Sequence, residues 1–167
     1  MTFAIRYALA AGLLAAITGC ATWSEPEGSP RKETVFAVTA DHQLIRFNAG
    51  QPRKILERKP VTGLAAGERL LGIDYRVAKG VLFALASSGR LYTLDTDKAM
   101  LKPVASAPSA VLPAGAQFGF DFNPAADRIR VVSDSGQNLR LHPDTGAAVD
   151  GNAAADGVQA DTTLAYR

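Results

Sequence analysis

The sequence predicts an all-β domain of β-propeller-like antiparallel repeats, and three observations carry that prediction. First, stretches recur without gaps every 47 residues: Val35-Phe36-Ala37-Val38-Thr39, Leu82-Phe83-Ala84-Leu85-Ala86 and Ile129-Arg130-Val131-Val132-Ser133 lie over one another. Second, the runs are short, rich in Val, Ile, Leu, Phe and Tyr, and bounded by turn residues, as strands are. Third, no window beyond the first residues shows a helical period. A unit of three or four strands repeating at about 45 to 50 residues has the spacing of propeller blades. Repeated hairpins in a β-sandwich are the alternative.

Residues 1–19 read as a secretion signal: Arg6 supplies a positive start, Tyr7 to Ile17 is greasy, and small residues lead into Cys20. The apolar stretch from Tyr7 to Gly19 is 13 residues, short of the roughly 20 that span a bilayer. Cys20 is the single cysteine of the chain, so no internal disulfide forms. Ile17-Thr18-Gly19-Cys20 resembles the lipobox of bacterial lipoproteins. That resemblance implies cleavage before Cys20 and acylation there, with enough chains for stable anchoring where one is marginal. Ala21 in place of Asp implies, by the same likeness, an outer-membrane location facing periplasm or surface. Residues 20–32 then read as a lipidated end and flexible tether, because Pro26, Gly28 and Pro30 block regular elements and little is apolar. A coil of about 12 residues reaches roughly 20 Å from the membrane.

Residues 33–167 form the repeat domain. Within each unit a second stretch keeps step: Leu44 to Asn48, Leu91 to Asp95, Asn138 to His142. An upstream stretch does the same, with Gly72-Ile73-Asp74-Tyr75 over Gly119-Phe120-Asp121-Phe122. Asp41-His42-Gln43, Ser87-Ser88-Gly89-Arg90 and Asp134-Ser135-Gly136-Gln137 are the hairpin turns, where glycine supplies positive φ. Asp161 to Arg167 looks like the opening strand of a fourth unit. Propellers close with about four to eight blades, which protects strand edges. Three units plus the start of a fourth therefore point to a shortened version of a longer protein, or to a sheet completed by a partner chain through its open edges.

Beyond Arg6 the chain carries 17 basic and 16 acidic residues, interleaved. Nucleic-acid binders cluster a basic excess on one face, so that class is excluded. No nucleophile elbow, zinc-protease helix, cysteine pair or phosphate-binding glycine loop occurs. His42 and His142 fall at different places in the repeat and read as surface structure, and Asp150-Gly151-Asn152 with Asp156 reads as a polar loop.

Two groups of residues carry more chemistry. Asp74 and Asp121 occupy equivalent positions in apolar strands, so alternation turns both carboxylates away from Ile73, Tyr75, Phe120 and Phe122. Near a central channel their oxygens suit Ca²⁺; otherwise each accepts hydrogen bonds that fix one unit against the next. Arg128, Arg130 and Arg140 alternate with Ile129, Val131, Leu139 and Leu141, which points them to one face beside Asn138. Guanidinium forks there suit a carboxylate or an anionic sugar, or pair with Asp127 and Asp134 as a solvated face.

The segments Thr62 to Glu68 with Leu71 to Tyr75, Gly119 to Pro124 with Asp127 to Ser133, Gly136 to Leu141, and Pro143 to Gly146 resemble the bacterial family catalogued as domain of unknown function 4394. The likeness covers about Thr34 to Tyr166. Its members tend to continue past the point where this chain ends, which agrees with truncation, and the family brings no activity or site residues to carry over. Function is thus expected to be that of a membrane-anchored, non-enzymatic module for protein or cell-envelope glycan contacts. A Ca²⁺-dependent propeller-type hydrolase or lyase, and a truncated fragment without independent function, are the alternatives.

Overall fold

The computed structural model describes residues 26–105 and 113–164; the signal sequence, Cys20 and the first half of the tether lie outside them. The described residues form three antiparallel sheets in chain order. The first contains β1 (Thr34–Val38), β2 (Gln43–Asn48) and β3 (Gln51–Pro60). The second contains β4 (Leu70–Arg76), β5 (Val81–Ala86), β6 (Leu91–Asp95) and β7 (Met100–Pro103). The third contains β8 (Phe118–Asn123), β9 (Arg128–Ser133) and β10 (Asn138–Leu141). Every neighbouring pair within a sheet is antiparallel and sequential. A single 3-10 turn, Val77–Lys79, is the one helical element among the described residues. The fold is all-β, as expected, and the described sheets close neither a barrel nor a ring.

The 47-residue repeat is the sheet-to-sheet period. It matches β1 with β5 and β9, β2 with β6 and β10, and β4 with β8. The first sheet has no described counterpart of β4 and β8. His42, Gly89 and Gly136, also 47 apart, all adopt positive φ, at 57°, 81° and 81°. The same left-handed corner therefore turns the same hairpin in each unit.

Strand alternation makes the core. On β5, Leu82, Ala84 and Ala86 join Tyr92 and Leu94 in a cluster with Leu44, Phe36 and Val38 of the first sheet. The intervening Phe83 and Leu85 join Leu91 against Phe122, Ile129, Val131, Leu139 and Leu141 of the third. The middle sheet is thus apolar on both faces, and each outer sheet is apolar on the face it turns inward. Leu85 and Ile129 are fully buried, each such side chain contributing about 1.5 to 3 kcal/mol of hydrophobic stabilisation.

Two segments behave differently from their sequence reading. Gly28 to Lys32 carries no strand, yet it is held: Asn48 accepts from Arg31 N at 2.8 Å and donates to Arg31 O at 2.6 Å, while Gln51 Nε2 donates to Gly28 O at 3.0 Å. The tether is fastened there because Asn48, at the end of β2, meets backbone polar groups that a coil leaves unpaired. Asp161 to Leu164, read as opening a fourth unit, lies along the outer edge of β10, with Asp161 N donating to Asn138 O and Leu164 N to Gly136 O. Together with the Leu141–Ala148 bridge this segment covers the edge of the third sheet.

Candidate functional site

The two strands that sequence repetition pairs, β4 and β8, lie side by side. Alternation on β4 turns Ile73 and Tyr75 toward the first sheet, leaving Gly72 and Asp74 to face β8. A Cβ at Gly72 would stand 2.6 Å from Phe120 Cβ, so this close approach requires glycine. Two residues on, Asp74 Oδ2 accepts the backbone N–H of Phe122 at 2.7 Å. One of the two expected metal ligands therefore joins one inner strand to the next. Asp121, its counterpart, is exposed and stands across from Arg130. Asp74 and Asp121 do share a crevice of about 450 Å³, whose lining includes Tyr75, Arg76, Phe122 and Asp127. Among the described residues no group of three or more His, Cys, Asp or Glu side chains is placed to hold a metal ion.

Arg76, at the end of β4, was not singled out by its sequence context. It is only 4% exposed. Its Nε donates to Asp127 Oδ1 at 2.8 Å and its terminal nitrogens reach Asp144, one at 2.5 Å. A second terminal nitrogen contact to Asp127 completes a two-pronged pair. Those hydrogen bonds hold the Asp144 carboxyl down at about 2 and the Asp127 carboxyl below the usual carboxylate range. The guanidinium therefore closes one end of the crevice and ties the second sheet to two turns of the third. Glu68 does a similar service within the second sheet, accepting from Ser88 Oγ, Tyr92 Oη at 2.5 Å and Ala65 N at 3.2 Å.

The arginine face gathers as its alternation implies. Arg130 and Arg140 are direct cross-strand partners on β9 and β10, and Asp121 stands across from Arg130 on β8. Asp161 sits between the two guanidinium groups. It accepts from Arg140 Nε and a terminal nitrogen, both at 2.7 Å, and from Arg130 at 3.2 Å. That pairing raises the Arg140 pKa. Arg130 also donates to Asn138 Oδ1 at 2.6 Å, and Asn138 Nδ2 to Thr162 O at 3.0 Å. Arg128, two residues before Arg130, donates to the Asp127 carbonyl at 2.9 Å. Neither acid weighed beside this face, Asp127 or Asp134, bridges the pair; Asp134 caps the amides of Ala116 and Gln117 instead. Asp161 does so, from a segment that sequence pattern assigned elsewhere. The histidines bind backbone: His42 Nε2 accepts from Leu70 N at 3.4 Å, and His142 Nδ1 from Asp144 N at 3.2 Å.

Stacked antiparallel sheets of one repeating unit, with polar groups on an inner crevice and one end face, define a β-repeat domain. The sequence profile described as Domain of unknown function (DUF4394) matches residues 43–167, from β2 onward. The chain belongs to that family. No curated protein matches it closely enough to count as a relative.

Proposed function

We propose that the chain is a lipid-anchored, non-enzymatic binding module of the bacterial cell envelope, gripping carboxylate-bearing protein or glycan partners on the outer face of its third sheet. One observation carries this: Arg128, Arg130 and Arg140 share a sheet face turned away from the rest of the domain. In the middle sheet the position equivalent to Arg130 is Phe83, and the position equivalent to Asn138 is Leu91. Both are buried against a neighbouring sheet. Asp161 takes the Arg140 fork for itself, and with Asn138 it holds Arg130 through one terminal nitrogen. The remaining nitrogens of Arg130 and Arg128 are the ones offered to a planar carboxylate. The anchor rests on Cys20 and the signal before it, and the outer membrane on Ala21.

The test is retention of the chain on immobilised polygalacturonate, a polymer of carboxylated sugars. Charge reversal by Arg128→Glu with Arg130→Glu is expected to abolish retention at low salt, with the melting curve cooperative as before. Retention that survives the reversal would overturn the glycan reading. Cys20→Ala is expected to release the chain from membranes, and its continued sedimentation with them would refute the anchor.

A further inference from the structure

The first sheet lacks a described inner strand, and its β1 edge has the chemistry to accept one. Thr39 N donates to Gln43 O and Ala49 N to Glu33 O, which fixes residues 33 with 49 and 39 with 43 as hydrogen-bonded pairs. An antiparallel ladder alternates strictly, and β1 pairs with β2 without a register shift. The N–H and C=O groups of Thr34, Phe36 and Val38 therefore point away from β2. Among the described residues nothing pairs with them. In the second and third sheets the corresponding edge is occupied by β4 and β8. The repeat offset would align residues 23–29 with β4, but the described part of that stretch is fastened at the β2–β3 turn through Gly28.

The neighbouring wall is shaped for such a strand. A cavity of about 150 Å³ lies between the end of β1 and the start of β4, lined by Val38, Thr39, Leu70, Gly72 and Ile73 among others. Where β8 sits beside β4, two residues make the fit: Gly72 admits Phe120, and Asp74 accepts from Phe122 N. Moving back one repeat, Ile73 takes the place of Phe120 and Tyr75 that of Phe122. The amide of Tyr75 then faces the unfilled position, as the amide of Phe122 faces Asp74. A strand there would place a glycine against Ile73 and an aspartate against Tyr75 N.

We infer that the β1 edge is a binding site for one extended segment of another polypeptide, carrying a glycine, an apolar residue, an aspartate and an aromatic residue in succession. The segment adds a strand to the first sheet, drawing affinity from main-chain hydrogen bonds and selectivity from the Gly-x-Asp spacing. It continues the row that β4 and β8 already form.

The probe is a fluorescent peptide with the sequence of Leu70–Arg76, titrated into the full chain and read by anisotropy. Saturable binding is expected. Replacing the peptide's aspartate by alanine is expected to weaken it at least tenfold, and replacing its glycine by valine to abolish it, since a Cβ there meets Ile73. These changes leave the protein untouched, so folding does not confound them. In the protein, Thr34→Pro removes an outward-pointing amide from an edge strand, where proline is tolerated, and is expected to lower affinity at least tenfold. No saturable binding, or equal binding by the valine peptide, would overturn the inference.

Discussion

The two outer sheets of this domain solve the same packing problem on one face and diverge on the other. The first sheet turns Val35, Ala37, Ile45 and Phe47 away from the middle sheet, with Val35 across from Phe47 and Ala37 across from Ile45. The third turns away Asp121, Arg130, Asn138 and Arg140. In repeat arrays, terminal units need a polar outer face to remain soluble. By that criterion the third sheet has the largely polar face of a cap, its edge covered by Asp161 to Leu164, and the first has the apolar face of an interior unit. The equivalents of Val35 and Ala37 confirm the distinction: Leu82, Ala84, Ile129 and Val131 are all buried between sheets. A single repeat thus yields one polar and one apolar turned-away face, depending on which residues occupy it.

The largest expected effect breaks or upholds that comparison directly. Ala84 has no exposed surface, so Ala84→Lys must bury an ammonium between two sheets. It is expected to cost more than about 4 kcal/mol and abolish the cooperative melt. Ala37→Lys, one repeat earlier, is expected to change stability by less than about 1 kcal/mol. Equal losses in urea melts would mean that the outer face of the first sheet is covered in the folded chain.

Next in size is the lock on the third sheet. Asp161→Ala leaves Arg130 and Arg140 facing one another and releases the segment that covers β10. Hydrogen bonds to charged groups contribute about 1.5 to 3 kcal/mol when partly buried, and a loss of about 1 to 2 kcal/mol is expected here. A double-mutant cycle with Arg140→Ala should give a coupling of at least about 0.5 kcal/mol. Additive losses would show that the pair is merely adjacent.

Acid should separate the two ends. Asp144 and Asp127 have carboxyl pKa values depressed by hydrogen bonds from Arg76. Their contribution is therefore present above the ordinary carboxylate range and is lost as pH falls from about 4 to about 2. The first sheet has depressed carboxyls too, Glu57 beside Lys59 and Asp41 beside Thr39, but these pair within it. Its joint to the second sheet includes Lys59 Nζ donating to the backbone oxygen of Asp97 at 2.7 Å, an acceptor that does not titrate. Amide exchange near pH 2.5 is expected to open β8 to β10 before β1 and β2. Arg76→Met should remove the difference, and simultaneous opening in the unmodified chain would count against it.

Much of this architecture is legible in the sequence because it depends on short-range pattern. Period-2 alternation in Val81 to Ala86 and Arg128 to Ser133 determines which residues enter which core, and the gapless offset of 47 identifies equivalent strands. Alternation likewise puts Arg130 and Arg140 on one face. What binds them was not legible, because Asp161 lies 21 positions beyond Arg140 and reaches it only after the loop from Gly151 to Ala160. The staple through Arg76 was hidden for a similar reason. Its partners lie in two turns of the third sheet, 51 and 68 positions along the chain, and neither spacing follows from the repeat. Gly72 and Asp74 were visible as a recurring pair, but the 2.6 Å clearance to Phe120 comes only from how two strands pack.

The smallest effect concerns the corner where the first sheet departs from the other two. His42 occupies the left-handed position that Gly89 and Gly136 fill in later units, a conformation that costs a side chain about 1 kcal/mol or more. His42→Gly relieves that strain but raises the entropy of the unfolded chain by a comparable amount, roughly 0.5 to 1 kcal/mol. It also removes the acceptor for Leu70 N, whose 3.4 Å separation marks a weak bond. These terms nearly cancel, so a change of less than about 0.5 kcal/mol is expected in a urea melt. The reverse exchange is not symmetrical: Gly89 is buried, and Gly89→His is expected to cost at least about 1 to 2 kcal/mol from strain and crowding together. A loss above about 1 kcal/mol in His42→Gly would show instead that the imidazole is a working link between the first sheet and β4. Histidine would then stand at this corner because the first sheet, having no described inner strand of its own, needs another tie to the second.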